Sequence, residues 1–499
     1  MSIPFFSKFA QKRYLPLFVS ILAGIAFIGL SVIRLDAQGL YYDELFQAVS
    51  SFAYIGHVTH HFATLEFHNL PIMNMSYIGA IKTGIYGLYL LITNQSFSVV
   101  SWRLLGILFP AVGIMIFGII VRKRLSLIGL VIFLFLLLTD ITLILTSRFD
   151  WGPVALSSLL RMLLIAVWLE GELSGDPHPI NVFWMGLLFG ISIFEKLNNI
   201  VLVVPIMFMV LSNPIRRNFR HLKASLLGGS IGIVPLILAN LLSFYKTGKF
   251  ITLQLQNVLT SNPHSFGGLI KTIEDYLSLG AGYQVQSFIL GVDQHLHGLV
   301  ETILLATLLF LMLIGMISYG KRNSIYFRLS MVMILSYFSV ILILFFIPAP
   351  ISTHHWITAT PFQYVAIAMF LLGLVEQNSI KFPSLFGIVF IISLLLLAFS
   401  RISGIVTLEQ SFQQGDASYK WDHSLTTIGE FAAEQADHAI FIAADWGVAN
   451  QMICFLNGKS GVVYEFPGLD NNNVDQVLQI VQNTQKDDVY LVVPNPPYF

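Results

Sequence analysis

Apolar runs long enough to cross a bilayer recur along most of this chain. In hydrocarbon every backbone N–H and C=O must be satisfied within the segment, so such runs have to be helices. Windows of roughly 20 apolar residues fall at Tyr14 to Leu35, Leu104 to Val121, Ser126 to Leu145, Pro153 to Leu169, Asn181 to Phe194 and Asn198 to Leu211. They continue at Ala224 to Ser243, Leu299 to Tyr319, Leu329 to Ile347, Trp356 to Val375 and Pro383 to Ser400. The count is about eleven spans, two of them short. Composition agrees: 56% of residues are hydrophobic and 11% charged, with mean hydropathy +0.76, whereas an ordinary globular domain is roughly a quarter charged. The expectation is a mainly α, polytopic integral membrane protein in contact with membrane lipids.

The formal net charge is zero and no basic stripe appears, so a nucleic-acid partner is not expected. Cys454 is the sole cysteine, which rules out an internal disulfide. Met1 to Arg13 carries Lys8, Lys12 and Arg13 ahead of the first run. That run has no clear small-residue cleavage site, so it reads as a retained helix.

Short loops rich in Lys and Arg stay cytoplasmic. Such clusters occur at the N-terminus, at Arg122 to Arg124, at Arg216, Arg217, Arg220 and Lys223, and at Lys321, Arg322 and Arg328. Keeping all of them on one side requires that Ile72 to Thr93 not cross. Its central Lys82 and its glycines Gly79, Gly84 and Gly87 suit a piece lying at the outer interface. A conventional span is the alternative. This topology makes the N-terminus cytoplasmic and puts on the outer face a first loop at 36–102, the turn at 146–152, the turn at Glu195 and Lys196, and a large loop at 244–298. The turn at 348–355 and everything after Arg401 join them. The division expected is a transmembrane catalytic domain at 1–403 and a soluble extracytoplasmic domain at 404–499. In the latter, the apolar runs Ala439 to Ala443, Gly461 to Phe466 and Asp488 to Val493 alternate with helix-like stretches, the pattern of a small α/β domain.

Polar residues at a membrane edge are costly and invite a functional reading. Asp43 and Glu44 stand between aromatics just after the first run. A carboxylate there can be tuned as a proton acceptor by desolvation and nearby cations; a solvated interfacial pair or a helix-start cap is the alternative. Ser147 to Pro153 (SRFDWGP) places Arg148 and Asp150 between two spans, where a simple Arg–Asp ion pair would also account for them. Phe194 to Asn199 (FEKLNN) puts Glu195 and Lys196 at the apex of a hairpin. Lys196, Lys82 and Arg103 could hold a phosphate or merely snorkel. Histidines collect in the outer segments, at His57, His60, His61 and His68, at His295 and His297, and at His354 and His355. His60 and His61 have helical spacing from His57 and with Glu66 are candidates for a divalent metal site. No tight ligand motif is completed, and no cofactor is required.

Together these residues resemble the C-type (GT-C) membrane glycosyltransferases that use a polyprenyl-phosphate sugar donor, in the branch of protein O-mannosyltransferases and aminoarabinose transferases. The likeness rests on Asp43 and Glu44 after the first span, the Pro-led segment Pro71 to Tyr86, Arg103, SRFDWGP, FEKLN at Phe194 to Asn198, and HHWITATPFQY at His354 to Tyr364. Two departures stand out. Asn69 and Leu70 precede Pro71 where the aminoarabinose branch carries a lysine, and the WWD motif of oligosaccharyltransferases is absent. The resemblance implies a GT-C fold and transfer of a sugar, with inversion, to a hydroxyl of a lipid, glycan or protein acceptor. It gives Asp43 the role of general base and Glu44 that of orienting it. Lys196, Arg148, Arg103, Lys82, His354 and His355 become candidates for donor and phosphate binding, and Asp150, Glu66 and Glu195 for shaping the site. The alternative is a flippase or transporter, which would carry charge near the bilayer midplane and often an inverted repeat; none is visible in the sequence.

Overall fold

The computed structural model of the chain describes residues 14–57, 65–175, 178–253, 266–319, 324–346, 353–376, 385–459, 461–466 and 473–493. Every expected apolar run is helical over most of its length. Among the described residues, six helices are long and apolar enough to cross a membrane: Val99–Val121, Phe219–Thr247, His295–Ser318, Ile325–Phe346, His354–Glu376 and Gly387–Gln414. Helices Leu127–Leu138 and Ile141–Arg148 make a seventh if counted as one span bent by 58°. The other expected spans form helices that fall short by length or charge. Leu15–Ser31 and Pro179–Glu195 have 17 residues each, and Ala155–Leu173 carries Arg161, Glu170 and Glu172. The run from Leu197 to Leu211 starts as a 3₁₀ helix over Leu197–Leu202.

The segment at 72–93 is not one continuous helix. Strands β1 (Leu65–Phe67), β2 (Leu70–Met75) and β3 (Ile78–Gly79) form an antiparallel sheet in that order. Helix Ile81–Thr93 follows with 13 residues, a rise of about 20 Å, which is shorter than a hydrocarbon core.

Close helix packing fixes the bundle. Helices Pro179–Glu195 and Phe219–Thr247 meet through Gly186, Gly190, Gly228 and Gly232; a Cβ on Gly186 would lie 2.1 Å from the Ser225 carbonyl oxygen. Small residues of this kind allow backbones to touch without side chains between them. At the 58° bend, Asp140 caps the second half by accepting from Leu143 N at 2.8 Å. Its other oxygen accepts from Tyr364 Oη at 2.6 Å, and Arg401 Nη2 donates to that hydroxyl at 2.8 Å and to Glu301 Oε1 at 2.5 Å. This buried chain of charge ties the bent pair to three other helices.

Helix Leu385–Gln414 runs 30 residues, past position 403. Beyond it, β4 (Ala439–Ala443), β5 (Val463–Glu465) and β6 (Asp488–Val492) form a parallel sheet in the order β5-β4-β6. All five residues of the central β4 are buried. This small α/β unit packs directly on the first loop. Gly39 N donates to Trp421 O at 2.7 Å, Gln451 Nε2 to Leu40 O at 2.8 Å, and Phe97 N to Asn457 Oδ1 at 2.8 Å.

Candidate active site

The eight-residue helix Tyr42–Val49 carries Asp43 and Glu44 in its first turn, where the positive end of the helix dipole favours a carboxylate. The two residues do different work. Glu44 is buried and held by Arg103, with Nε to Oε1 at 2.7 Å and Nη2 to Oε2 at 3.1 Å; Trp421 Nε1 adds a donor at 3.3 Å. Arg103 also donates to the Leu35, Gln38 and Gly39 carbonyls at 2.7, 2.8 and 2.7 Å. All five N–H groups of its guanidinium are thereby engaged, which leaves none for a phosphate. Both residues were candidates for the chemistry; the geometry makes them the clamp that fixes the turn bearing Asp43.

Asp43 is only half-buried. Desolvation pushes its carboxyl up to about 7, against the opposing pull of Lys420 and Lys196. Tyr77 is within electrostatic reach of it. Lys196 is delivered by the hairpin: its backbone bridges Ile78, and Leu197 N donates to Tyr77 O at 2.9 Å. Its Nζ donates to Gly152 O at 2.5 Å.

The SRFDWGP corner closes the other side. Arg148 and Asp150 do not pair with each other. Arg148 donates to the carbonyls of Ser31, Ile33 and Arg34 at 3.1, 2.6 and 2.7 Å and to Gln38 Oε1 at 2.7 Å, satisfying the end of helix Leu15–Ser31. Those bonds engage both terminal nitrogens of the guanidinium, and among the described residues its Nε has no hydrogen-bond partner. Asp150 instead pairs with Lys82 at 2.5 Å, both side chains buried, and accepts from Val154 N and Ala155 N at 2.9 and 2.8 Å. Lys82 also lies 3.9 Å from the Trp102 ring centroid, a cation–π contact. Gly152 has φ +67°, and a Cβ there would lie 2.5 Å from the His354 ring. Trp151 packs edge-on to His354 at 5.1 Å, and His355 lies 4.0 Å from His354. Glu195 is buried within electrostatic reach of Asp150, Lys82 and Lys196.

The fold therefore gathers Asp43, Lys82, Asp150, Glu195, Lys196 and His354 around one corner. It takes the others elsewhere. Glu66 sits at the sheet edge, where its carbonyl accepts from Lys246 Nζ at 2.9 Å. His57 Nδ1 contacts Asn457 O at 2.5 Å, tying the first loop to the α/β unit. His60 and His61 lie outside the described residues. Among the described residues no group of three or more His, Cys, Asp or Glu is placed to hold a metal ion.

Two cations were missed in the sequence. Lys420, from the segment joining the long helix to the α/β unit, reaches Asp43 electrostatically and sits 5.5 Å from the Tyr41 ring. Arg161 is buried and donates to Thr360 O at 3.0 Å, Ile357 O at 3.2 Å and Ser158 Oγ at 3.1 Å, with no carboxylate among these partners. A lone arginine inside an apolar run was a signal for the second. Nothing local marked the first.

No family model and no curated relative matches the chain. Solved structures do. The crystal structure of ArnT from Cupriavidus metallidurans bound to undecaprenyl phosphate superposes with TM-score 0.59 at 12% identity, covering 97% of this chain and 90% of that one. ArnT from the same organism in the apo state gives TM-score 0.59 at 9% identity, covering 95% and 93%. The chain thus has the fold of ArnT, the GT-C membrane-glycosyltransferase fold that its Asp-Glu pair, SRFDWGP corner and FEKLN hairpin resemble.

Proposed function

We propose that the protein is a membrane glycosyltransferase that moves a sugar from a polyprenyl-phosphate donor to an acceptor hydroxyl on the extracytoplasmic side, by a single inverting displacement. The observation that carries this reading is Asp43, a half-buried carboxylate held near neutrality within electrostatic reach of Lys196 and Lys420. Asp43 takes the acceptor proton as the hydroxyl oxygen bonds to the anomeric carbon. The bond from that carbon to the donor phosphate breaks, and its electron pair leaves with the phosphate. Negative charge grows on the leaving group, and preorganised cations in a dry site stabilise it most. Lys196 is the first choice for that contact, because among the described residues the one hydrogen-bond partner of its Nζ is a neutral carbonyl, Gly152 O. Lys82, already neutralised by Asp150, positions the corner. The ArnT fold, which in one of its crystal structures holds undecaprenyl phosphate, supports a lipid-phosphate donor here.

Two measurements test this. A general base must be ionised to act, so kcat/KM for transfer from an undecaprenyl-phosphate sugar is expected to rise with pH through about 7 as Asp43 ionises, and to fall again above that as the buried Lys196 ammonium, lowered to about 7 by desolvation, loses its charge. A profile flat from mildly acid to mildly alkaline pH would count against Asp43 as the base. Lys196→Ala is expected to weaken undecaprenyl phosphate binding, measured by native mass spectrometry, by about 10- to 100-fold, the worth of one charge-assisted contact. Unchanged binding removes the phosphate role.

A further inference from the structure

Beside this corner lies an open cleft of about 1040 Å³, walled by helix Phe266–Leu277, helix Tyr283–Leu290 and the segment carrying Lys420. Its size is that of a ligand site. One wall presents Tyr283, whose ring is fixed on three sides. The hydroxyl donates to Asp275 Oδ1 at 2.9 Å, the ring packs edge-on to His295 at 5.5 Å, and a Cβ on Gly298 would lie 2.2 Å from it. Around it stand Lys271, Glu274, Asp275, Asp293 and Lys420. Lys420 is shared with the catalytic corner: its Nζ lies 4.9 Å from the Phe288 ring at the cleft wall and 5.5 Å from the ring of Tyr41, two residues before Asp43.

We infer that this cleft binds the acceptor, and that the acceptor end it takes is an unphosphorylated glycan of neutral or amino sugars. A fixed aromatic face stacks on the apolar face of a pyranose ring, and carboxylates accept strong hydrogen bonds from sugar hydroxyls. The charge balance decides the class. Three carboxylates line the cleft against two lysines, so a phosphate or carboxylate group on the acceptor meets net repulsion, whereas a hydroxyl or an ammonium does not. Of the two cleft lysines, Lys420 is the one that reaches Asp43, and it already serves, with Lys196, as a counter-charge of that base. An acceptor stacked on Tyr283 would extend past Phe288 and Lys420 toward Asp43. This assignment rests on the glycosyl-transfer reading for its meaning, but its test does not need the donor.

Saturation-transfer NMR on the full chain in lipid nanodiscs, with chitotriose, mannotriose and mannose 6-phosphate as separate probes, tests it. Saturation of at least one neutral trisaccharide is expected, with none for mannose 6-phosphate, and Tyr283→Ala is expected to weaken the trisaccharide about two- to twelvefold, the loss of one stacking contact. Glu274→Gln, on the half-exposed helix face, is the second variant should Tyr283→Ala fail to fold; it is expected to weaken the neutral probe and to relax the exclusion of the phosphate. Three results overturn the inference: equal or stronger saturation of mannose 6-phosphate, undiminished trisaccharide binding in both variants, or no saturation of either trisaccharide. Undecaprenyl phosphate binding on the same preparations reports the donor side separately, so a failed cleft and a failed transferase reading give different results.

Discussion

Replacing Asp43 by asparagine is expected to lower sugar transfer by about 10²- to 10⁴-fold, the usual worth of a positioned general base, while the protein stays folded and inserted. Asparagine keeps the shape of the side chain and loses only the capacity to take a proton. The stability consequence has a definite sign. Folding raises the Asp43 carboxyl from its ordinary 3.8 to about 7, chiefly through desolvation. Its contribution to stability is therefore full below about 3.8, falls as the pH climbs toward about 7, and is absent above that. At pH 8 the wild type bears the cost of an ionised, partly buried carboxylate that the asparagine variant escapes. The variant should unfold in detergent at the same temperature as wild type or higher. Transfer by Asp43→Asn at a rate near that of wild type, in a reconstituted assay with an undecaprenyl-phosphate sugar, would sink the proposed mechanism. A variant that is inactive and also markedly less stable at pH 8 would show that Asp43 supports the fold instead.

Much of this site could be read before any coordinates, and the unread part has a common cause. Apolar runs located the helices because hydrocarbon leaves a polypeptide little other choice, and short apolar runs located β4, β5 and β6 because those strands sit in or beside a small buried sheet. Asp43, Lys196 and Asp150 were found because each is a charge at a membrane edge with little local reason to be there. The same argument also selected Arg103 and Arg148, whose guanidinium groups satisfy carbonyls and a carboxylate 59 to 117 positions away. An arginine at a helix end looks the same in a sequence whether it awaits a phosphate or covers the open end of another helix. Only the tertiary structure says which carbonyls arrive beneath it. Lys420 was invisible for the converse reason: its place beside Asp43 depends on the α/β unit docking on the first loop through Trp421, Gln451 and Asn457. That docking makes the C-terminal unit part of the surroundings of Asp43, which composition alone presented as a separate appendage.

The clamp beneath Asp43 should be the most sensitive point in the fold. Arg103 and Glu44 are both fully buried, and their pairing is bidentate. Removing one partner of such a pair strands the other charge, at a cost of about 3–5 kcal/mol. Arg103→Ala is the worse case, since it also releases the Leu35, Gln38 and Gly39 carbonyls that bend the chain into helix Tyr42–Val49. Glu44→Ala leaves Arg103 charged but still bonded to those three carbonyls, so a smaller loss is expected. The double variant separates pairing from packing. If the ion pair is the main term, the guanidinium has no stranded partner to penalise once both are gone, and the double variant should be more stable than the two single losses would add up to, by more than about 1 kcal/mol. Additivity to within about 0.5 kcal/mol in chemical unfolding would mean that the carbonyl contacts, not the pair, hold the turn. Activity discriminates further. Asp43 follows Tyr42 and precedes Glu44 on one helical turn, so a clamp variant that still folds should lose transfer through a displaced base and show a pH profile whose rising limb has moved. Asp43→Asn has no such limb to move.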